Sequence, residues 1–311
     1  MTDHSDSDFQ SYYGQPVIKE PVWKPVIPVY FFTGGLGGAS AALAFGAQLV
    51  GNKRLARNAT LLGLLNIGIS PVLLIVDLGK PSRFYNMLRM FKLTSPMSVG
   101  SWLISGLGAA LGVAGFCELF GVLPKLKLAA QAVAALFGLP VSTYTAALIA
   151  DTAVPAWHDA RRELPFVFAG GAAASAGAAA LIVTPSTDAG PARLAAIGGA
   201  MLEAGAAQAM ERRLGKLVGE PYRTSRAGSA KKASAACTLA GGAITTFAGG
   251  KRLGAIAGGS LLLAGALLER WTVYEAGLQS ARDPKYTIVP QRERIESRGT
   301  MVTTRPQGTR T

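Results

Sequence analysis

Residues 59–84 read ATLLGLLNIGISPVLLIVDLGKPSRF. The run 59–76 carries no charged side chain, and it is followed at once by Asp77 and by the helix breakers Gly79 and Pro81. A helix needs roughly 20 mostly apolar residues to cross the hydrocarbon core of a bilayer. The quoted stretch therefore predicts a membrane-spanning helix that stops at Asp77. Seven more windows of this kind occur, at 26–50, 99–121, 128–150, 164–184, 192–210, 233–249 and 253–271. The window at 233–249 is short and rich in Gly and Thr, but Lys251 and Arg252 mark a tight turn after it. The expected fold is an all-α integral membrane protein of eight transmembrane helices.

Composition agrees with this class. Half of the 311 residues are hydrophobic, mean hydropathy is +0.31 and only 16% of residues are charged. Soluble domains are nearer a quarter charged. The 38 glycines and the Ala-rich runs suit membrane helices, whose backbones approach closely where side chains are small. The net charge of +13 would suggest nucleic acid in a soluble protein. Here the cations lie between apolar windows and in the C-terminal tail, so the expected contacts are anionic membrane lipids or an acidic partner subunit, and no nucleic acid. The two cysteines, Cys117 and Cys237, match no metal or disulfide spacing. No cleavable signal peptide or twin-arginine signal is visible at the N-terminus.

Most of the 31 Lys and Arg residues fall in the N-terminal segment, the connections after the second, fourth and sixth windows, and the tail. That bias places both termini in the cytoplasm and the chain in the cell (inner) membrane. The expected organisation is a polar segment 1–25, a first four-helix bundle 26–150, a loop 151–163, a second four-helix bundle 164–271 and a tail 272–311. The tail is basic and carries Pro284, Pro290 and Pro306, so it is expected to be extended, either disordered or lying on a partner. An internal echo supports the two halves. Leu78-Gly79-Lys80-Pro81-Ser82-Arg83 follows the second window, and Val218-Gly219-Glu220-Pro221-Tyr222-Arg223 follows the sixth, with Gly, Pro and Arg at matching offsets.

The segment 77–102, DLGKPSRFYNMLRMFKLTSPMSVGSW, is too polar to span and too long for a simple turn. Lys80, Arg83, Arg89 and Lys92 supply charge. Phe84, Tyr85, Phe91 and Trp102 supply aromatic area, and Ser95 stands where it can cap the next helix. Two readings fit: an ordinary interfacial loop with an aromatic belt, or one wall of a site for an amphipathic ring, with an acid to exchange protons. Within the windows, Asn66, Glu118, Tyr144 and Glu203 are polar. An ionisable group at mid-membrane is costly and is usually functional or paired. Glu203 and Glu118 are therefore candidates for a proton pathway, against structural hydrogen bonds or, for Glu118, simple access to the interface.

The chain lacks the ligands for a redox centre of its own. Its two histidines, His4 and His158, lie outside the windows, whereas haem in a helix bundle takes axial His from the helices. No haem and no iron–sulfur cluster is expected in this chain, and any electrons must come from another subunit.

The same segment resembles the signature of the polysulfide-reductase membrane-subunit family, the NrfD/PsrC-like proteins, which reads roughly D-L-G-R-P-x-R-F and then S-P-M-S-x-G-x-W. Asp77, Leu78, Gly79, Pro81, Arg83 and Phe84 match, with Lys80 in place of a common Arg. Ser95, Pro96, Met97, Ser98, Gly100 and Trp102 match too, as do Tyr144-Thr145, Pro155, Trp157, Leu164-Pro165 and the Gly-rich stretch 34–38. The resemblance covers about residues 20–180.

It implies a quinone-binding anchor with no bound cofactor, which exchanges menaquinone or ubiquinone with the membrane. It also implies a four-cluster ferredoxin-like iron–sulfur partner and a molybdopterin catalytic subunit; the chain would not be catalytic alone. Tyr144 matches the family's quinone-contacting tyrosine, Asp77 would relay protons, and Arg83 would orient Asp77 or steady negative charge. Lys80, Phe84 and Trp102 would complete the quinone-binding set. Where the family's first helix carries polar quinone ligands, 26–33 offers only Tyr30 and Thr33. The second echo has Leu217 in place of Asp77, which favours one site, in the first half. The competing functions are a secondary transporter and a purely structural anchor.

Overall fold

The computed structural model describes residues 17–303. Expectations about residues 1–16, His4 among them, and about 304–311, Pro306 among them, lie outside the described residues. The described residues are mostly helical and include no strand. The long helices are α1 (Val26–Leu49), α2 (Lys53–Asp77), α3 (Pro96–Phe120), α4 (Pro124–Ala150), α6 (Leu164–Val183), α7 (Gly190–Leu214), α8 (Ser225–Ala248) and α9 (Arg252–Arg282). A short α5 (Pro155–His158) sits in the expected loop, and α10 (Lys285–Thr303) follows α9.

Local chemistry accounts for the ends. The Asn52 side chain accepts from the Leu55 amide at 3.1 Å and starts α2. Ser95 caps α3 as its position predicts, accepting from the Ser98 amide, with Pro96 in the first turn. Gly121, at φ +66°, ends α3 in the left-handed region. After α2, Pro81–Leu88 forms 3₁₀ turns, and Glu220–Tyr222 does the same after α7. Each echoed hexapeptide thus runs into a 3₁₀ turn with its Pro in the first turn, although Lys80 is extended where Glu220 is already in the turn.

Six helices, α1, α2, α3, α4, α6 and α9, are long and apolar enough to cross a membrane. This makes the chain a multi-pass membrane protein. The count differs from the eight expected spans because α7 and α8 fall short in apolarity. α7 carries Arg193, Glu203, Glu211, Arg212 and Arg213, and α8 carries Arg226, Lys231 and Lys232. The structure differs from expectation at two other points. α9 runs on to Arg282, beyond the window that ended at residue 271, because Tyr274 and Leu278 continue its buried face. The basic tail is helical over Lys285–Thr303 rather than extended.

α1 is the central helix. It packs on α2, α4, α6 and α9, while α3 lies on α4, α7 on α6, and α8 on α9. Small residues permit this. A Cβ on Gly38 would run into the Gly138 carbonyl of α4, and one on Gly138 would run into the Gly38 carbonyl. One apolar core joins residues of both halves, from Tyr30, Phe31 and Leu107 to Trp157, Phe168 and Val273. Around it, large apolar side chains such as Leu65, Phe116, Leu136, Phe166 and Phe247 are exposed, as a lipid-facing surface requires.

Candidate functional site

One group of polar side chains in the first half converges on α1. Tyr30, which is 1% exposed, and Tyr144 of α4 meet hydroxyl to hydroxyl in a hydrogen bond that either can donate. The Thr33 hydroxyl lies 3.3 Å from the Tyr30 carbonyl and 2.9 Å from the Ser70 hydroxyl, and Ser70 donates to the Asn66 carbonyl at 2.8 Å. A strip of hydroxyls therefore crosses α4, α1 and α2 inside an apolar interior. Gly100 of α3 makes room for it, because any Cβ there would collide with the Tyr144 ring.

Beside this strip the outer face of α3 carries two grooves. One, of about 420 Å³, lies between α3 and Phe137 of α4 and is walled by Phe91, Trp102 and Leu103. Phe137 stands two turns from Tyr144 on the same face of α4. The other, of about 130 Å³, lies between α2 and α3 under Phe84 and Leu88. The Trp102 indole donates to the Met90 carbonyl at 3.4 Å and packs edge-on to Phe91 at 6.1 Å between centroids. Phe84 and Trp102 thus line grooves. Lys80 and Arg83 are exposed on the connecting segment and line neither groove.

Asp77 is half-buried at the end of α2. Its carboxylate accepts from the Lys24 amide at 2.8 Å, while the Lys24 ammonium donates to the Val76 carbonyl at 2.6 Å. Asp77 and Tyr144 are not hydrogen-bonded to each other. The segment before α1 also ties the halves together. Trp23 stacks on Trp157 at 5.3 Å, the Trp23 carbonyl accepts from the Tyr274 hydroxyl at 2.6 Å, and Glu20 pairs with Arg282 at 2.6 Å.

The two acids proposed for a proton pathway have different surroundings. Glu118 pairs with Lys127 at 2.8 Å across the α3–α4 turn, near the interface. Glu203 is buried in α7 and faces Arg270 of α9, with 3.6 Å between Oε1 and Nη1. Arg270 also donates to the Phe168 carbonyl at 2.8 Å and lies over the Phe168 ring at 4.0 Å. Outside the membrane helices, burial pushes the Tyr222 phenol up, helped by nearby Glu269 and Glu211. Lys285 is pushed up to about 12, since Tyr286, Glu220 and Asp283 outweigh the opposing effect of burial.

Sequence reasoning noted Tyr30 and, as a motif residue, Gly100 without placing either in a site, and it missed Arg270. The signal for Tyr30 is a lone phenol in a Gly-rich apolar run. For Arg270 it is the continued helical period after Trp271, which moves Glu269 and Arg270 from the end of a span to the middle of a helix.

Membrane-length apolar helices around a buried strip of hydroxyls define a polytopic membrane subunit with an internal polar site. The chain belongs to the NrfD family of polysulphide reductases, whose model matches residues 15–198. No curated protein matches the chain. The matched region holds α1 to α6, both tyrosines, Asp77 and the two grooves.

Proposed function

We propose that this chain is the quinone-binding membrane anchor of a multi-subunit oxidoreductase in the respiratory chain. It passes electrons between a four-cluster ferredoxin-like iron–sulfur subunit and the quinone pool, with a molybdopterin catalytic subunit behind that partner. The carrying observation is the Tyr30–Tyr144 hydroxyl pair, set beside an aromatic groove within the family-matching region. A quinone needs apolar surface for ring and tail and a few directed donors for its oxygens, and this arrangement offers both. Tyr144 hydrogen-bonds one quinone oxygen, and Tyr30 holds the Tyr144 hydroxyl in register. Asp77 relays protons through water, because its carboxylate is engaged by the Lys24 backbone. Lys80 and Arg83, exposed on the segment after α2, suit the face that meets the iron–sulfur partner.

In this reading α7 and α8 also cross the membrane. That gives eight spans in two four-helix halves, with both termini in the cytoplasm and the basic connections facing anionic lipid.

The test is turnover of menaquinone or ubiquinone by the purified complex. Tyr144→Phe and Tyr30→Phe should each slow it roughly tenfold, the equivalent of about one hydrogen bond in the transition state, with assembly unchanged. Unchanged turnover in both variants would remove the pair from the mechanism. Solute flux through the purified chain alone, with no response to quinone, would instead place it among secondary transporters.

A further inference from the structure

A second polar region lies in the other half, mostly beyond the family-matching residues. α7 and α8 touch far less than α8 and α9 do, and the gap between them is a cleft of about 240 Å³. Glu211 and Lys231 pair at one end of it, next to the connection 215–224, and Arg223 also reaches Glu211, at 3.5 Å. Glu203 lies two turns deeper on α7, about 12 Å along the helix. Thr238 lies two turns deeper on α8, and Glu269 of α9 forms part of the floor. Along the charged lining side-chain exposure falls inward, from 32% at Lys231 and 15% at Glu211 to 6% at Glu203, while Ala204, Gln208 and Ala235 stay exposed.

Glu203 at the inner end points to what fills the cleft, and Arg270 stands behind it, outside the lining. Oε1 of Glu203 and Nη1 of Arg270 are buried and have no hydrogen-bond partner, and their 3.6 Å separation is too long for a bond to each other. Buried charged atoms demand hydrogen bonds, and water supplies them where a cleft has room. At about 30 Å³ each, several waters fit. Among the described residues no group of carboxylates is arranged to hold a metal ion. Part of the polarity that keeps α7 and α8 below the apolarity of a span, that of Glu203, Gln208, Glu211 and Lys231, lines the cleft. Polar faces of spanning helices are tolerated where they border water.

We propose that the cleft between α7, α8 and α9 is a water-filled inlet. Through it Glu203 exchanges a proton with the aqueous phase on the side of the connection 215–224, with Arg270 as fixed counter-charge. Protonation turns the Glu203 carboxylate into the neutral acid, and the proton comes from the water chain. Arg270 keeps its charge, its guanidinium held by the Phe168 carbonyl and ring. The charged groups around Glu203 are Glu211 on α7, Lys231 on α8, and Glu269 and Arg270 on α9. α6 presents Gly171 and the Phe168 carbonyl, and none of its residues is titratable. This inference rests on α7 and α8 spanning the membrane and not on quinone binding.

The test is one-sided labelling of single cysteines in the full chain in vesicles, on a Cys117→Ser, Cys237→Ser background, with a charged, membrane-impermeant thiol reagent. Lys216→Cys and Lys251→Cys should react from opposite sides, and reaction from one side would overturn the spanning reading itself. Given opposite sides, Ala207→Cys and Thr238→Cys should react from the Lys216 side. Reaction only with a lipid-soluble maleimide would mean that lipid fills the cleft, and would overturn the inlet alone.

A second measurement needs no cysteine variant. The purified chain in nanodiscs should show a carboxylic-acid C=O infrared band that titrates with bulk pH and shifts in D₂O. Glu203→Gln, or Glu203→Gln with Arg270→Gln if the single variant does not fold, should remove the Glu203 component, read as a titrating band in the wild-type-minus-variant difference spectrum. A difference spectrum with no titrating carboxylic-acid band would overturn the assignment.

Discussion

The site rests on a few atoms, and Gly100 tests it at the residue scale. Its missing side chain is the space that Tyr144 occupies. Gly100→Ala should push the ring away from Tyr30 at an overpacking cost of about 1–3 kcal/mol. Quinone turnover should then fall about as far as in Tyr144→Phe, while the complex still assembles. The double variant should be no slower than Tyr144→Phe alone, because both changes act through one hydroxyl. Additive losses would show that Gly100 acts elsewhere.

Glu203 and Arg270 make a second case at this scale. Removing one partner of a buried ion pair leaves the other charge uncompensated, at about 3–5 kcal/mol. Arg270→Leu should therefore lower the melting temperature in detergent more than the pair Glu203→Leu with Arg270→Leu. If the double variant is the less stable, the pair is a net stabiliser and the desolvation argument fails. Neither residue's partner is visible in the sequence, since 67 positions of helix and turn separate them and mainly the packing of α7 and α9 on α6 joins them.

Among the elements, α1 shows how far reading a sequence reaches. Its Gly-rich run was legible as a helix meant for close packing, and the structure puts four other helices against it. Gly38 and Gly46 lie on the same helix with opposite surroundings. A Cβ at Gly38 meets the α4 backbone, whereas one at Gly46 meets nothing within 4 Å. Gly46→Ala should be neutral or stabilising by up to about 1 kcal/mol through helix propensity. Gly38→Ala should destabilise by about 1–3 kcal/mol as α1 and α4 are forced apart. Thermal unfolding of the two variants checks this, and equal effects would contradict the packing. The apolar windows located every long helix but α10, because periodicity and length suffice where a helix is apolar. They misplaced the ends of α2, α8 and α9, where charged first turns and a polar but buried last third do not read as span. Tyr144 and Asp77 were legible through motif residues that cluster in sequence, whereas the Tyr30–Tyr144 bond joins residues 114 apart and needed the fold.

At the scale of the whole molecule, the question is whether the halves are separable. The sequence echo suggests two units, but the physical contacts cross between them. Phe31 of α1 packs on Phe168 of α6 at 5.8 Å, Trp23 stacks on Trp157, and Trp23 also takes a hydrogen bond from Tyr274 of α9. α1 is largely buried, and part of what buries it is α6 and α9. A fragment ending at Asp151 would expose the Phe31 face of α1 and leave the segment before it without its anchors. In a membrane no hydrophobic force holds helices together, so lost van der Waals packing and hydrogen bonds are not replaced. Residues 1–151 expressed alone should therefore fail to give a monodisperse species in detergent. The same fragment co-expressed with 152–311 should copurify with it and recover the Tyr30–Tyr144 site, read as binding of a quinone analogue. Because the cut falls in an exposed turn between α4 and α5, the two fragments can refold around the same interior. A stable fragment 1–151 that binds the analogue unaided would show that the first half is a self-sufficient unit and that the contacts through Phe168, Trp157 and Tyr274 are dispensable.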